Sequence, residues 1–189
     1  MVLGPPQLTH SFLKWITTQD TKDKTILEFG SGGSTLFFSK IFKRVISFES
    51  NPEYMKEVQK QIPDNVFLYP FTFEKFPQVL EGVDYILIDN NPGKSIQRSR
   101  IAEKIIEYGY KNIIILDNGN WNPTAYFYLR KMCKEYRDFG WHNTAGSETI
   151  TSVFSGILDT SSDALEFEYG LEFARIQNIK KGGKWTRSH

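Results

Sequence analysis

At 189 residues and a formal net charge of +1, the chain is sized for one domain with one core, and it has no charge excess pointing to nucleic acid or an anionic membrane. Its single cysteine, Cys133, excludes an intrachain disulfide and fits a reducing compartment. No apolar run approaches the ~18 residues of a membrane span, and Pro5-Pro6 with polar neighbours stands where a signal peptide would be apolar, so a cytoplasmic protein is expected.

Residues 5–18 predict an amphipathic helix, with prolines at its start and Leu8, Phe12, Trp15 and Ile16 at helical spacing. ILEFG (26–30) is a short apolar run ending in glycine, and Ser34 to Phe42 reads as the helix after it. VISFES (45–50) is the second run. Asn51 is placed to cap the next helix, with Pro52 in its first turn, Met55, Val58 and Ile62 on one face and Pro63 as its stop. VFLYPF (66–71), a short helix over 74–81 and DYILIDN (84–90) follow. Ile101, Ile105 and Ile106 mark a helix that Gly109 can end, before NIIILDN (112–118). Tyr126, Leu129, Cys133 and Tyr136 form the next helical stripe, which makes Cys133 a small buried side chain rather than a nucleophile.

Residues 137–156 break this rhythm: Gly140, Trp141 and Gly146 lead to a last strand, TSVFSG (151–156), and suggest an antiparallel hairpin at one sheet edge. Short apolar strands alternating with helices predict a doubly wound, mainly parallel α/β sheet. Residues 1–156 would form this domain and 157–189 an extension, with strand-like alternation from Leu165 to Phe173 and a flexible basic end at 180–189.

The glycine turn ILEFGSGGST (26–35) is the most informative segment. Gly30, Gly32 and Gly33 allow a tight bend and close backbone approach, and the following helix start offers unpaired N–H groups. A dinucleotide turn needs a third glycine where Thr35 stands. Gly93-Lys94-Ser95 fails as a phosphate loop because its first glycine would fall on Ile88. S-adenosylmethionine fits the pattern Glu-x-Gly-x-Gly: Glu28 can hold an ammonium group or order the loop. Glu49, at the end of the second strand, can accept ribose hydroxyls. Glu49 does not separate this ligand from NAD; Glu28 and Thr35 do.

With these residues on the table, the chain resembles the Rossmann-like S-adenosylmethionine-dependent methyltransferases over roughly residues 5–156. The anchors are ILEFGSGGST, VISFESNPEY (45–54), DYILIDN and NIIILDN. The resemblance implies a sheet of about seven strands ordered 3-2-1-4-5-7-6, strand seven antiparallel, helices on both faces, and a cofactor over the carboxyl ends of strands one, two and four. It assigns cofactor contacts to Glu28, Gly30, Ser31, Gly32, Ser34, Thr35, Glu49, Ser50, Asn51, Phe71 and Asp89. The segment YPFTF (69–73) departs from the family's acidic or amide residue after strand three; Phe71 or Phe73 can stack on an adenine or belong to the core.

Asp89 with DNGNWN (117–122) is similar to metal-dependent catechol-type O-methyltransferases. That likeness implies Mg²⁺ held by Asp89, Asp117 and Asn118, which would acidify an acceptor hydroxyl. It also makes Asp89 and Lys94 candidate catalytic residues; the alternative is that such strand-end groups cap helices and order loops. Arg98 and Arg100 follow on the next helix, as an anion clamp or as exposed arginines, and Trp121 and Trp141 are pocket walls or core. The expected activity is methyl transfer to a small-molecule acceptor, O- or N-directed with oxygen preferred, because the chain shows no large insertion for a macromolecular acceptor; no nucleic-acid or membrane partner is expected, and a homodimer is compatible. An aminopropyl transferase similar to spermidine synthase and a non-catalytic cofactor-binding module are the alternatives.

Overall fold

A computed structural model describes residues 2–73, 77–90 and 95–158. Seven strands form one sheet in the order β3-β2-β1-β4-β5-β7-β6. In chain order the elements are α1 (His10–Ile16), β1 (Thr25–Phe29), α2 (Gly33–Phe38), β2 (Arg44–Glu49), α3 (Pro52–Gln59), β3 (Val66–Pro70), β4 (Tyr85–Ile88), α4 (Ser95–Glu107), β5 (Ile113–Leu116), α5 (Pro123–Met132), β6 (Cys133–His142) and β7 (Glu148–Ile157). Strands β1 to β5 pair in parallel; β7 runs antiparallel to both β5 and β6. This is the expected doubly wound sheet, with its one reversed strand where the resemblance put it.

Strand periodicity divides the apolar residues between two cores. Leu27, Phe29, Ile86, Ile88, Ile114 and Leu116 face one side, where Ile101 and Ile105 of α4 and Leu129 and Met132 of α5 cover them. Ile26, Tyr85, Leu87 and Ile115 face the other side, under Phe12 and Ile16 of α1 and Phe38 of α2. Ile26, Leu27, Ile86 and Leu87 are fully buried, each worth about 1.5–3 kcal/mol relative to exposure. Burial on both faces is why these central strands read as unbroken apolar runs.

Several expected helices differ in extent: α2 ends at Phe38 and α3 at Gln59, each a turn short, and α1 and α5 differ most. α1 begins at His10 rather than residue 5. A residue before proline is pushed out of the helical region, so Gly4 to Leu8, which spans Pro5-Pro6, runs as irregular chain. α5 ends at Met132, and Cys133 and Tyr136 lie on β6 instead of completing a helical stripe. Pairing with β7, from Cys133↔Ile157 to His142↔Glu148, overrides the local helical spacing there. Cys133 is buried, and burial pushes its thiol up to about 12. Of the short helix expected over 74–81, one 3-10 turn at Pro77–Val79 is present; residues 74–76 lie outside the described residues. So do Lys94 and the tail from residue 159, including the alternating stretch 165–173. No helix among the described residues is long and apolar enough to cross a membrane.

Candidate functional site

The chain winds from β1 toward β2 in one direction and from β4 toward β5 in the other. Open α/β sheets leave a crevice beyond the carboxyl ends of the strands at such a reversal. A cleft of about 1160 Å³ occupies that place, reached by Gly30 to Ser34, Glu49 to Asn51, Asp89, Asn90, Arg98, Asp117 and Asn118. The sequence-assigned residues that the structure describes therefore converge, with three exceptions given below.

The glycine turn is shaped largely by the protein's own backbone. Gly30 has φ +98°, and a Cβ there would stand 2.8 Å from the Asp89 carbonyl oxygen. A Cβ on Gly33 would stand 2.6 Å from the Pro5 carbonyl oxygen. The irregular N-terminal segment thus lies against the start of α2, and its Gly4, Pro5 and Gln7 form one wall of the cleft. It is tied down by Leu3 N–H donating to Gln61 Oε1 (3.0 Å), by Thr144 Oγ1 donating to the Pro6 carbonyl and by Thr9 N–H donating to Thr151 Oγ1 (3.2 Å).

Two carboxylates serve this turn. Glu28 is fully buried behind it, accepting from Ser34 Oγ at 2.9 Å and from Thr35 Oγ1. Thr35 in turn accepts the Gly32 N–H at 2.8 Å. Of the two roles left open for Glu28, its geometry is that of a loop-ordering group. Burial pushes it up to about 7, against the pull of the Thr35 and Ser34 hydroxyls. Glu28 and Thr35 do not reach the cleft, which corrects their expected place as direct contacts. Phe71 is the third exception: it packs edge-on against Phe29 and Phe73, in the core behind β1.

Glu49 does reach the cleft. Its Oε2 accepts the Ser31 N–H (3.2 Å) and the Ser31 hydroxyl (2.9 Å). Its Oε1 accepts the Asn51 N–H (2.7 Å) and, at 3.5 Å, the Ser50 hydroxyl. Asn51 spends its side-chain oxygen capping α3, accepting from the N–H groups of Glu53 and Tyr54.

On the other half of the cleft, Arg98 is the residue whose position the sequence hid. It is buried, not exposed. Its Nε donates to the Asn90 carbonyl (3.0 Å), Nη1 to the Asp117 carbonyl and to Asn118 Oδ1 (3.2 Å), and Nη2 to Asp89 Oδ1 (3.2 Å). Asp117 Oδ1 accepts from Thr151 Oγ1 at 2.6 Å, and Asn118 Nδ2 donates to Thr149 Oγ1 at 2.9 Å. Burial pushes both Asp89 and Asp117 up; Arg98 pulls both back, and the nearby Asp89 charge raises Asp117 further. Arg100 is exposed, with its guanidinium 5.0 Å over the Phe73 ring.

The implied Mg²⁺ does not fit this donor set. A hard cation here would need the carboxylate and amide oxygens free to turn toward it, with water completing an octahedral shell. Here a guanidinium already holds an oxygen of Asp89 and the oxygen of Asn118, and a hydroxyl holds Asp117. Among the described residues no cluster of three or more His, Cys, Asp or Glu could hold a metal. The Asp…Asp-Asn pattern is a salt-bridge and hydrogen-bond network around Arg98.

Trp121 stands at the rim, 55% exposed, beside Asn122 and Asn143. It is a wall, not core; the side chain of Trp141 lies outside the described residues. Asn122 donates its amide to the Asn118 carbonyl (3.0 Å), and Asn143 Oδ1 accepts the Ala145 and Ser147 N–H groups. Repeated asparagines in DNGNWN were the one signal for this half; nothing local marked Tyr54, Asn143 or Ser147, which also line the cleft.

No family model and no curated protein sequence matches the chain. Solved structures share its fold. Precorrin-6y C5,15-methyltransferase from Geobacter metallireducens superposes with a TM-score of 0.57 at 15% identity, covering 82% of this chain and 94% of that one. An rRNA methylase from Streptococcus thermophilus gives 0.58 at 14% identity, covering 79% and 96%. Sp1610 from Streptococcus pneumoniae, solved in complex with S-adenosyl-L-methionine, gives 0.53 at 14% identity, covering 92% and 90%. The shared property is the seven-stranded Rossmann-like fold of these proteins.

Proposed function

We propose that the chain is an S-adenosylmethionine-dependent methyltransferase acting on a small, uncharged acceptor, at oxygen. The observation that carries this reading is Glu49 at the lip of the cleft. Two of its four hydrogen bonds come from backbone N–H groups, and two come from the hydroxyls of Ser31 and Ser50. A ribose diol can replace those two hydroxyls without moving the backbone, so the cofactor fits the donor set. A diphosphate fits poorly, because the N-terminal segment presents the carbonyls of Gly4 and Pro5 at the start of α2. The neighbours' methylase and methyltransferase activities, and the S-adenosylmethionine bound to Sp1610, support the same choice.

Bound there, S-adenosylmethionine supplies a methyl group on a sulfonium for in-line displacement. Glu49 and Ser31 to Ser34 would hold the cofactor. Asp89 would accept the acceptor's hydroxyl proton, its carboxylate aimed by Arg98. Trp121, Asn122 and Asn143 would form the acceptor wall, a stacking face beside amides. Among the described lining residues Arg98 is the one Lys or Arg, and it is spent on Asp89. That favours an uncharged acceptor over a phosphate backbone, which is gripped by several free cations.

S-adenosylmethionine should raise the melting temperature, whereas NAD and ATP should not. Glu49→Ala should abolish the shift, and Trp121→Ala should leave it intact while raising KM for the acceptor. A larger shift with NAD, or none with any of the three, sinks the proposal.

A further inference from the structure

The sheet has two unlike edges. β3 is five residues long and closed by Pro70, a short and proline-blunted edge. β6 is ten residues long, without proline, and pairs only with β7 among the described residues. Its segment Lys134-Glu135-Tyr136-Arg137-Asp138 is exposed throughout.

Charge on an exposed edge ordinarily repels a second copy, which requires that like charges meet. The order in β6 does the reverse. When the strand is laid antiparallel to itself about Tyr136, Lys134 faces Asp138 and Glu135 faces Arg137, on both sides of the axis. Opposite charges directly across a strand pair stabilise it, and like charges destabilise it. A two-fold axis through any of the other four residues of the segment sets a charged side chain against its own copy. Full complementarity therefore selects one register.

Two of these side chains are already held in place. Asp138 accepts from Tyr126 Oη (2.8 Å) and Ser152 Oγ (2.7 Å). The Tyr136 ring stacks on Phe154, and Arg130 lies 4.6 Å over it. Fixed side chains lose less conformational entropy on pairing.

We infer that β6 pairs with β6 of a second copy of this chain about Tyr136, extending the sheet across an isologous two-fold interface. The inference is independent of what the cleft binds. Sedimentation velocity on the full chain over a concentration series tests it. The expected result is a concentration-dependent dimer whose dissociation constant rises at least about tenfold in Arg137→Glu, which sets like charges across the axis. The double variant Glu135→Arg/Arg137→Glu restores complementarity and should restore the dimer. Lys134→Glu is a second disrupting variant should Arg137→Glu fold poorly. A monomer at every concentration, as expected if residues 165–173 or another protein cover this edge, overturns the inference. So does a dimer indifferent to Arg137→Glu and Lys134→Glu, or one that the double variant fails to restore.

Discussion

Two carboxylates stand at the strand ends behind or beside each half of the cleft, and the two halves satisfy them by different means. At β1 and β2, Glu28 and Glu49 are held by hydroxyls and backbone N–H groups. At β4 and β5, Arg98 holds the Asp89 carboxylate and the Asp117 carbonyl, while the Asp117 carboxylate accepts from Thr151 Oγ1. Neutral donors only partly offset desolvation, so fully buried Glu28 is pushed to about 7. The guanidinium only partly offsets it too: burial still pushes Asp89 up to about 6 and Asp117 up to about 8, against the pull of Arg98 on both. The first arrangement makes a stiff backbone cradle; the second keeps a carboxylate aimed where a proton could be accepted.

The contrast can be broken at the point where the halves touch. Gly30→Ala would put a methyl group 2.8 Å from the Asp89 carbonyl at φ +98°. Left-handed strain and overpacking against rigid backbone together should cost on the order of 5 kcal/mol, seen as a large fall in the urea midpoint or loss of folded protein. Arg98→Met removes the cation and leaves two buried carboxylates facing each other. The expected loss is about 3–5 kcal/mol at neutral pH, recovered in part on acidification as Asp89 and Asp117 protonate. Equal losses at pH 5 and pH 8 would show that the guanidinium is mere packing.

The smallest effect sharpens the other half. Glu28 ionises near its ordinary value of 4.5 in the unfolded chain and near 7 in the folded one. Its protonated form is favoured by folding, so its contribution is full below about pH 4.5 and is lost as pH rises through 7. Within that window the loss approaches about 1.4 kcal/mol per pH unit. Glu28→Gln should flatten the fall measured by chemical denaturation between pH 5 and 7; the remaining slope belongs to Asp89 and Asp117, whose shifts have the same sign. An unchanged slope would mean that Glu28 keeps its charge on folding.

Much of the site was legible because strand ends are legible. Apolar runs that stop at Glu28-Phe29-Gly30, Glu49, Asp89 and Asp117 place those residues at the carboxyl edge of a parallel sheet. The cap at Asn51 and the stop at Gly109 followed from local backbone chemistry alone. Errors arose where a partner distant in sequence decided the matter. The helical spacing of Tyr126, Leu129, Cys133 and Tyr136 is real, yet β7 recruits the last two into a strand. Arg98 looks like any helix-surface arginine until α4 sets it between β4 and β5.

The sequence by itself determined the order of strands and helices, the glycine bend and the ring of acidic strand ends, because each depends on residues a few positions apart. Tertiary structure alone decided which carboxylate meets a hydroxyl and which meets a guanidinium, and that the N-terminal segment crosses the start of α2. Those outcomes depend on how separate elements meet, in contacts that reach from 6 positions (Ser34 to Glu28) to 138 (Thr144 to the Pro6 carbonyl). A side chain's chemistry there is set by the low-dielectric neighbours that folding supplies.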